Sequence, residues 1–219
     1  MGITSAKTPT SEATTYEKWF KKLGSGWGAA PSVQIIVDNS LIVMSANHIY
    51  KLDLNTGDIL QTGDMGAATN FGYTPPTYAD GMIFAPLADG RVQAFNAETL
   101  ESLWVYQDTL KGQSLSPITY SDGYIYTGFW NAETKDANYV CIPVTDEDPT
   151  NTQEAKEAAW QYTSLGGFYW AGSVVRGDYV VFGTDDGTSG SDGTGHVLSL
   201  NKKTGEVMDS VDVIGDQRS

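Results

Sequence analysis

A repeat of tight turns runs through the chain and constrains what it can fold into. The dipeptides Asp38-Asn39, Asp80-Gly81 and Asp122-Gly123 recur at a constant spacing of 42 residues, and a short apolar run follows each of them. Asp-Gly and Asp-Asn favour reverse turns because these residues tolerate the left-handed backbone region that tight turns need. A period of this length, filled with short strands, is typical of a sheet unit that stacks against copies of itself. The sequence therefore predicts an all-β fold built from repeated sheets.

The stretch 75–106 shows one complete unit of this repeat. Apolar runs alternate there with Asp-Gly and polar turns, which is the pattern of a meander of short antiparallel strands. The predicted strands are Pro75–Tyr78, Met82–Leu87, Arg91–Phe95 and Leu103–Tyr106. Four short strands in a unit of this size are typical of one blade of a β-propeller.

The same pattern divides the rest of the chain. We expect four-stranded antiparallel blades at about 31–64, 75–108, 117–163 and 172–213, all within a propeller that covers residues 16–219. Residues 1–15 are small and polar and are interpreted as a flexible lead-in. Residues 16–23 are interpreted as the outer strand of a closing blade, because Trp19 precedes a glycine-containing loop as Trp104 does.

The third blade is longer than the others because two of its loops are expanded. Residues 131–138 widen the loop between its second and third strands, and residues 145–158 replace a short polar turn. The second insertion contains Pro149 followed by Gln153–Lys156. A proline ahead of good helix formers is a helix-start signal, so we predict a short surface helix there.

Charge and composition exclude several classes of function. The chain carries a net charge of -14 and a pI of about 4.3. This charge argues against a nucleic-acid partner, since phosphate contacts need clustered Lys and Arg. No run of about 18 apolar residues occurs, so no membrane span is predicted, and residues 1–15 lack the apolar core of a signal peptide. The single cysteine, Cys141, lies in an alternating apolar run and is interpreted as a buried core residue.

The turn that precedes the last strand in three of the four blades resembles that of a known repeat family. In LDLNTGDIL, FNAETLESLW and LNKKTGEVM a polar turn that contains Thr separates two apolar strands. This pattern is similar to the pyrroloquinoline-quinone-like (PQQ-like) β-propeller repeat, whose four-stranded blades are of the WD40-like kind, and the resemblance covers residues 16–219. The segments SLSPITYSDGYIYTGFW and GGFYWAG are similar to uncharacterised extracellular propellers of Gram-positive bacteria. The resemblance implies an extracellular or cell-surface location.

The resemblance also bears on the size of the ring. Full rings of this class usually have seven or eight blades, so a lone outer strand followed by four units is interpreted as part of such a ring. The remaining blades would come from the same gene or from a companion chain. A small ring closed by four blades is the alternative.

Aromatic residues collect in the loops expected on one rim of the propeller channel. Loops that precede a blade usually need only small polar residues, yet three of the four carry aromatic residues among glycines. Aromatic rings together with amides suit stacking on a sugar or on a peptide side chain. The candidate ligand-binding residues are Trp27, Asn70, Phe71, Tyr73, Gln113, Trp130, Phe168, Tyr169 and Trp170. The alternative is that these rings wedge between neighbouring blades.

The loop 184–196 is the most acidic and glycine-rich connection of the chain. Carboxylates on a flexible backbone are the ligands that Ca²⁺ takes, so Asp185, Asp186 and Asp192 are candidate calcium ligands. Their spacing does not match an EF-hand. A mobile, solvated loop is the alternative.

No catalytic signature accompanies the aromatic loops. His48 and His196 have neither a Ser-Gly elbow nor an HExxH helix nearby, so no hydrolase triad or zinc site is indicated. Enzymes of the PQQ class cap their quinone with a vicinal Cys pair, and the single Cys141 puts PQQ binding in doubt, so no cofactor is expected apart from Ca²⁺. We predict a non-catalytic extracellular binding or scaffold module with a carbohydrate or protein ligand. The alternatives are a quinone-dependent dehydrogenase or a carbohydrate-active enzyme with groups on further blades, and a spacer without a ligand.

Overall fold

The computed structural model describes residues 15–69, 74–170 and 172–217, and its regular structure is β-strand apart from a 3-10 turn at Trp27–Ala29. Blade 1 contains β1 (Ile35–Val37), β2 (Ser40–Ser45), β3 (His48–Asp53) and β4 (Ile59–Asp64). Blade 2 contains β5 (Thr77–Ala79), β6 (Met82–Leu87), β7 (Arg91–Asn96) and β8 (Ser102–Gln107).

The second half of the chain repeats this arrangement. Blade 3 contains β9 (Thr119–Ser121), β10 (Tyr124–Gly128), β11 (Asp136–Pro143) and β13 (Trp160–Leu165), with β12 (Glu154–Lys156) inserted before its last strand. Blade 4 contains β14 (Val174–Arg176), β15 (Tyr179–Gly183), β16 (Thr194–Asn201) and β17 (Val207–Ile214). The four strands of each blade form an antiparallel meander in chain order. The prediction of an all-β propeller of four-stranded blades is confirmed.

The recurring dipeptides form the turns that they predict. Asp80 and Gly81 have φ angles of 50° and 72°, and Asp122 and Gly123 have φ angles of 51° and 80°. Positive φ at both central residues is the mark of a type I′ turn, whose twist matches that of the flanking strands. These turns join the first and second strands of their blades. The repeat in the sequence therefore marks the same position in each blade.

The insertion 145–158 forms a strand where we predicted a helix. Residues Glu154–Lys156 pair in parallel with Trp104–Tyr106 of β8, which gives the sheet of blade 2 a fifth strand. The open backbone edge of β8 offers interstrand hydrogen bonds, and such an edge outweighs the weak local preference of three residues for a helix. Lys156 is buried there, and its Nζ lies 2.7 Å from Glu154 and 3.3 Å from Glu147.

Apolar clusters fill the joints between neighbouring blades. Successive residues of a strand point to opposite faces of its sheet, so each blade serves two joints. Ile83 belongs to the cluster shared with blade 1, and its neighbour Phe84 belongs to the cluster shared with blade 3. A third cluster joins blades 3 and 4 through Tyr139, which stacks on Phe182 with ring centroids 3.8 Å apart. Among the clusters formed by described residues, none contains side chains of both blade 1 and blade 4.

Tryptophan side chains tie the blades together at their outer strands. The indole Nε1 of Trp104 in β8 donates to the carbonyl of Val144, which directly follows β11 of the next blade, at 3.1 Å. Trp160 in β13 donates to the carbonyl of Lys202, which directly follows β16, at 2.9 Å. An indole on the last strand of one blade thus reaches the same backbone position of the next blade.

The segment before blade 1 makes the same contact. Trp19 donates to the carbonyl of Leu54, which directly follows β3, at 3.1 Å, and a Cβ on Gly57 would lie 2.5 Å from the indole ring. Residues 15–25 form no regular strand, in contrast to the outer strand predicted for 16–23. This segment pairs with none of the four described sheets, but its tryptophan contacts the backbone of the next blade as Trp104 and Trp160 do.

No segment of the described residues forms a helix that is long and apolar enough to cross a membrane.

Candidate ligand-binding rim

The loops at one end of blades 3 and 4 are linked into a continuous surface. The loop before blade 3 pairs with the loop after β10, because Gln113 and Trp130 exchange backbone hydrogen bonds of 2.7 and 3.0 Å. The amide of Phe168, in the loop before blade 4, donates to the carbonyl of Phe129 at 3.0 Å. The amide of Asp185, after β15, donates to the carbonyl of Gly167 at 2.9 Å. We name these connected loops, residues 111–116, 129–135, 166–170 and 184–193, the rim.

Three aromatic side chains of the rim stack in a row. The rings of Trp130 and Tyr169 lie 4.9 Å apart, and those of Tyr169 and Trp170 lie 4.2 Å apart and nearly parallel, at 19°. Trp170 is 44% exposed, so the row begins in the protein and ends at the surface. Such a row offers a ring face on which an apolar or ring-shaped group can stack.

The backbone at Trp170 is strained. Its φ angle is 59°, in the left-handed region that a bulky residue adopts rarely. Strained conformations of this kind persist only where the surroundings hold them, and they collect at functional sites. The strain supports the inclusion of Trp170 among the candidate residues.

Two polar groups beside the aromatic row are buried without a partner. The Oε1 atom of Gln113 and the Nε1 atom of Trp130 make no hydrogen bond within the described part of the chain. The two residues face each other across a β-bridge, which places their side chains on the same side. A buried donor and a buried acceptor without hydrogen bonds cost free energy. This position therefore suits a group that both donates and accepts a hydrogen bond, such as a hydroxyl.

Phe168 has a different role from its neighbours. It is fully buried in the joint between blades 3 and 4, with its ring 5.1 Å from Tyr139 and 5.6 Å from Phe182. A Cβ on Gly128 would lie 2.5 Å from the Cβ of Phe168, so β10 needs a glycine at this point. Phe168 wedges between blades, as the alternative interpretation of the aromatic residues anticipated.

Among the described residues, the predicted Trp27 lies apart from the aromatic row. Trp27 lies in the 3-10 turn before blade 1 and is 76% exposed. Asn70, Phe71 and Tyr73 lie outside the described residues. The structure therefore brings together Gln113, Trp130, Tyr169 and Trp170.

Three carboxylates, two of them in the acidic loop, lie close together. Oxygen atoms of Asp185, Asp186 and Asp216 lie within 4.8 Å of one another, a spacing that could hold a metal ion. Asp216 follows β17 and was not among the predicted ligands. The predicted Asp192 is not in this group, and its Oδ1 accepts from the hydroxyl of Thr188 at 3.1 Å.

Hydrogen bonds already occupy part of the carboxylate of Asp186. Its Oδ1 accepts from the amide and the hydroxyl of Thr188 at 2.9 and 3.1 Å, and its Oδ2 accepts from the amide of Gly193 at 2.8 Å. These bonds fix the conformation of the loop around Asp186. Calcium binding at this cluster stays a prediction.

The two histidines occupy equivalent places in blades 1 and 4. His48 Nδ1 lies 2.9 Å from Asp64, and His196 Nδ1 lies 2.9 Å from Asp212. In each case the histidine is on the third strand of its blade and the aspartate is opposite it on the last strand. Both carboxylates are exposed. Cross-strand pairs at exposed positions contribute little stability, and their equivalence is a property of the repeat.

The cysteine lies in a buried position that keeps its thiol protonated. Cys141 is buried in the joint between blades 3 and 4, and burial raises the pKa of its thiol to about 12. A thiol is nucleophilic only as a thiolate. Its placement matches a core role.

Blades joined through apolar faces and docked indoles define a β-propeller. A family model described as "Outer membrane protein assembly factor BamB" matches residues 9–133, more than half of the 219 residues. The chain belongs to this family of PQQ-like repeat proteins, as the sequence motifs predicted. No protein among the curated ones matches the sequence.

Solved structures share the fold at low identity. BamB from Moraxella catarrhalis matches with a TM-score of 0.61 and 18% identity, over 89% of this chain and 51% of its own. The quinohemoprotein alcohol dehydrogenase ADHIIG from Pseudomonas putida HK5 matches with a TM-score of 0.65 and 15% identity, over 85% and 34%. The corresponding enzyme from Comamonas testosteroni matches with a TM-score of 0.65 and 17% identity, over 86% and 37%. The chain spans about a third to a half of the length of these proteins.

Proposed function

We propose that the chain is a non-catalytic binding or scaffold module that takes a carbohydrate or protein ligand at the rim. The observation that carries the proposal is the row Trp130, Tyr169 and Trp170 beside the unpartnered Gln113 Oε1. Flat rings next to a few orienting polar groups are the usual make-up of sites for sugars and for peptide side chains. A binding role agrees with the description of the family as an assembly factor.

A location outside the cytoplasmic membrane fits this role. The family description refers to the outer membrane, and the sequence resembles extracellular propellers. The net charge of -14 favours solubility on an exposed surface. We propose an extracellular or cell-surface position, which fractionation of the native cells would test.

Further blades are proposed as partners of blade 4. Its residues Val180 and Phe182 face blade 3, so Val181, between them, points to the opposite face. Tyr179 and Val211 are 47% and 55% exposed on that blade. An exposed apolar sheet face of this kind marks an interaction surface, and another blade of the same repeat is the occupant whose shape it fits.

The association of the isolated chain tests this partner. We expect the chain to self-associate as its concentration rises, and Val211→Lys to weaken that association in light-scattering measurements. A chain that stays monomeric at high concentration would contradict the proposal and favour the closed four-blade ring.

A quinone-dependent dehydrogenase is the second candidate, because two of the similar folds are quinohemoprotein alcohol dehydrogenases. The rim row could stack on a planar quinone, whereas the chain's single cysteine, Cys141, is buried between blades and cannot form a vicinal pair. Pyrroloquinoline quinone mixed with the protein should elute separately in gel filtration. Co-elution of its absorbance with the protein would favour the enzyme.

Arrays of glycans and peptides test the binding module directly. Trp170→Ala should abolish any signal of the unmodified chain, because it removes the exposed end of the aromatic row. Tyr124→Ala is the matched control, since Tyr124 is an exposed ring beside the turn at the opposite end of blade 3. Binding that survives Trp170→Ala, or an array without signal, would contradict the proposed site.

A further inference from the structure

The joint between blades 1 and 2 lacks the tryptophan that the other joints contain. Trp104 stands opposite Ala94 in its sheet, and Trp160 stands opposite Cys141. In blade 1 the equivalent pair is Gln61 opposite Lys51. The indole is absent, and a long basic side chain replaces the small residue beneath it.

Lys51 takes over the hydrogen bond of the missing indole. Its Nζ donates to the carbonyl of Ala97 at 3.0 Å and to that of Glu98 at 3.3 Å. Ala97 directly follows β7, so its carbonyl is the counterpart of those that accept from Trp19, Trp104 and Trp160. The backbone contact between the blades is kept, but a thin alkyl chain fills much less space than an indole.

A cavity of about 520 Å³ opens at this joint, lined among others by Val37, Asp38, Lys51, Tyr78, Ala97 and Glu98. In the next joint the hydroxyl of Tyr120 donates to the carboxylate of Asp80 and so bridges the corresponding position. Tyr78 and Asp38 are the equivalent residues, and here both line the cavity. The volume lies in the range of small-molecule sites.

The lining of the cavity indicates what it would hold. The cavity borders Ala97, whose carbonyl is the counterpart of those that an indole contacts at three other places, so a planar ring suits it. The ammonium of Lys51 in the wall attracts the face of such a ring, and the half-exposed ring of Tyr78 can stack on it. The exposed carboxylates of Asp38 and Glu98 at the cavity favour a positive charge next to the ring.

We propose that this cavity, the interblade slot, binds an aromatic amine: an indole or phenol ring joined by a short chain to an ammonium group. Such a group occurs in free aromatic amines and in peptides that present Trp or Tyr beside a basic residue. The site is distinct from the rim, because it lies among the turns at the opposite end of the blades.

Calorimetric titration of the full chain with tryptamine tests the slot. We expect saturable binding, with indole-3-acetate, which carries the same ring and the opposite charge, at least about tenfold weaker. A short acetylated peptide that contains Lys-Trp-Lys forms the second arm. Binding of the peptide alone would assign the slot to a protein ligand, and binding of tryptamine alone would assign it to a free amine.

The double variant Lys51→Ala/Gln61→Trp rebuilds the tryptophan joint and fills the slot. It should lose tryptamine and peptide binding while its unfolding midpoint stays the same or rises. Thr62→Trp is the matched control, since it adds an indole to the same strand on the opposite face and leaves the slot open. Trp170→Ala should also leave binding unchanged, which separates the slot from the rim.

Charge variants keep the proposal testable if the double variant does not fold. Asp38→Asn and Glu98→Gln are exposed substitutions, and together they should weaken tryptamine at least about tenfold without changing the binding of uncharged 3-methylindole. The proposal is overturned if neither tryptamine nor the peptide binds at millimolar concentration, or if the filled or neutralised slot binds as the unmodified one does.

Discussion

The indole Nε1 of Trp160 lies 2.9 Å from the carbonyl oxygen of Lys202, and the hydroxyl of Tyr126 donates to the same oxygen at 3.3 Å. Two side chains of blade 3 therefore converge on one backbone group of blade 4. The oxygen is enclosed by the aromatic cluster of that joint, where water cannot replace a lost donor. The joint depends on hydrogen bonding as well as on apolar contact.

Trp160→Phe should destabilise the chain by about 1–3 kcal/mol, because it removes the stronger donor to a buried carbonyl and leaves a small void. Urea unfolding followed by circular dichroism measures this change. Trp27→Phe is the control, since Trp27 is mostly exposed and its replacement should change stability by less than about 0.5 kcal/mol. Equal midpoints for Trp160→Phe and the unmodified chain would contradict the docking role.

Substitutions of Phe168 and Trp170 should have different effects on stability, although the two residues are only two positions apart. Phe168→Ala removes a fully buried ring from a joint and should cost about 3–5 kcal/mol. Trp170→Ala removes an exposed ring and relieves a strained backbone only in part, so its cost should stay below about 1 kcal/mol. Thermal unfolding of both variants measures the difference, and a large loss with Trp170→Ala would make that residue structural rather than available to a ligand.

Stability should fall as the solution becomes alkaline, starting at the pKa of an unfolded cysteine. Burial raises the pKa of Cys141 to about 12, whereas a thiol in the unfolded chain titrates near about 8.5. Between these pH values the unfolded state releases a proton that the native state keeps, so the free energy of unfolding decreases with rising pH. Cys141→Ala should remove this slope.

The pH range distinguishes the cysteine from the tyrosines. Burial also raises the pKa of Tyr106, Tyr126 and Tyr139, but unfolded tyrosines titrate near about 10, so their contribution begins at higher pH. Urea unfolding between about pH 8 and 9.5 should therefore show a decline in the unmodified chain and a flatter profile in Cys141→Ala. Parallel profiles would contradict the assignment.

Calcium should raise the unfolding temperature if the carboxylates of Asp185, Asp186 and Asp216 bind it. An ion that binds only the folded state stabilises that state by an amount that grows with the logarithm of its concentration once this exceeds Kd. Asp216→Asn should abolish the shift, while Asp192→Asn, in the same loop but outside the cluster, should keep it. An unmodified chain whose unfolding temperature is the same with calcium and with a chelator would refute the site.

The repeat was the most legible part of the sequence. Type I′ turns at Asp80-Gly81 and Asp122-Gly123 follow from local chemistry, and a constant spacing carries that local information along the whole chain. The strand at Glu154–Lys156 could not be predicted in this way, because its partner is an edge that lies about fifty residues earlier in the sequence. Local propensity does not report the presence of such an edge.

The candidate sites were predictable only in part. An aromatic run such as Phe168 to Trp170 signals something unusual in a loop, but which ring turns inward depends on the glycine at position 128 and on the next blade. Asp216 joins Asp185 and Asp186 only because β17 returns beside the acidic loop. The interblade slot is visible in the sequence once Gln61 is aligned with Trp104, but its significance depends on knowing what Trp104 does.

Strand β12 belongs to an insertion in blade 3 but pairs with the sheet of blade 2, so backbone hydrogen bonds connect the two blades in addition to side-chain packing. The stability of a repeat array is usually the sum of the stabilities of its units and of the interfaces between neighbours. A terminal unit can therefore unfold alone. Here the strands of blade 3 are continuous in the chain with β12, so moving them away from blade 2 would pull β12 from the edge of β8 and expose the buried Lys156. Blades 2 and 3 should therefore behave as one cooperative unit in hydrogen exchange, with blade 4 opening independently of them.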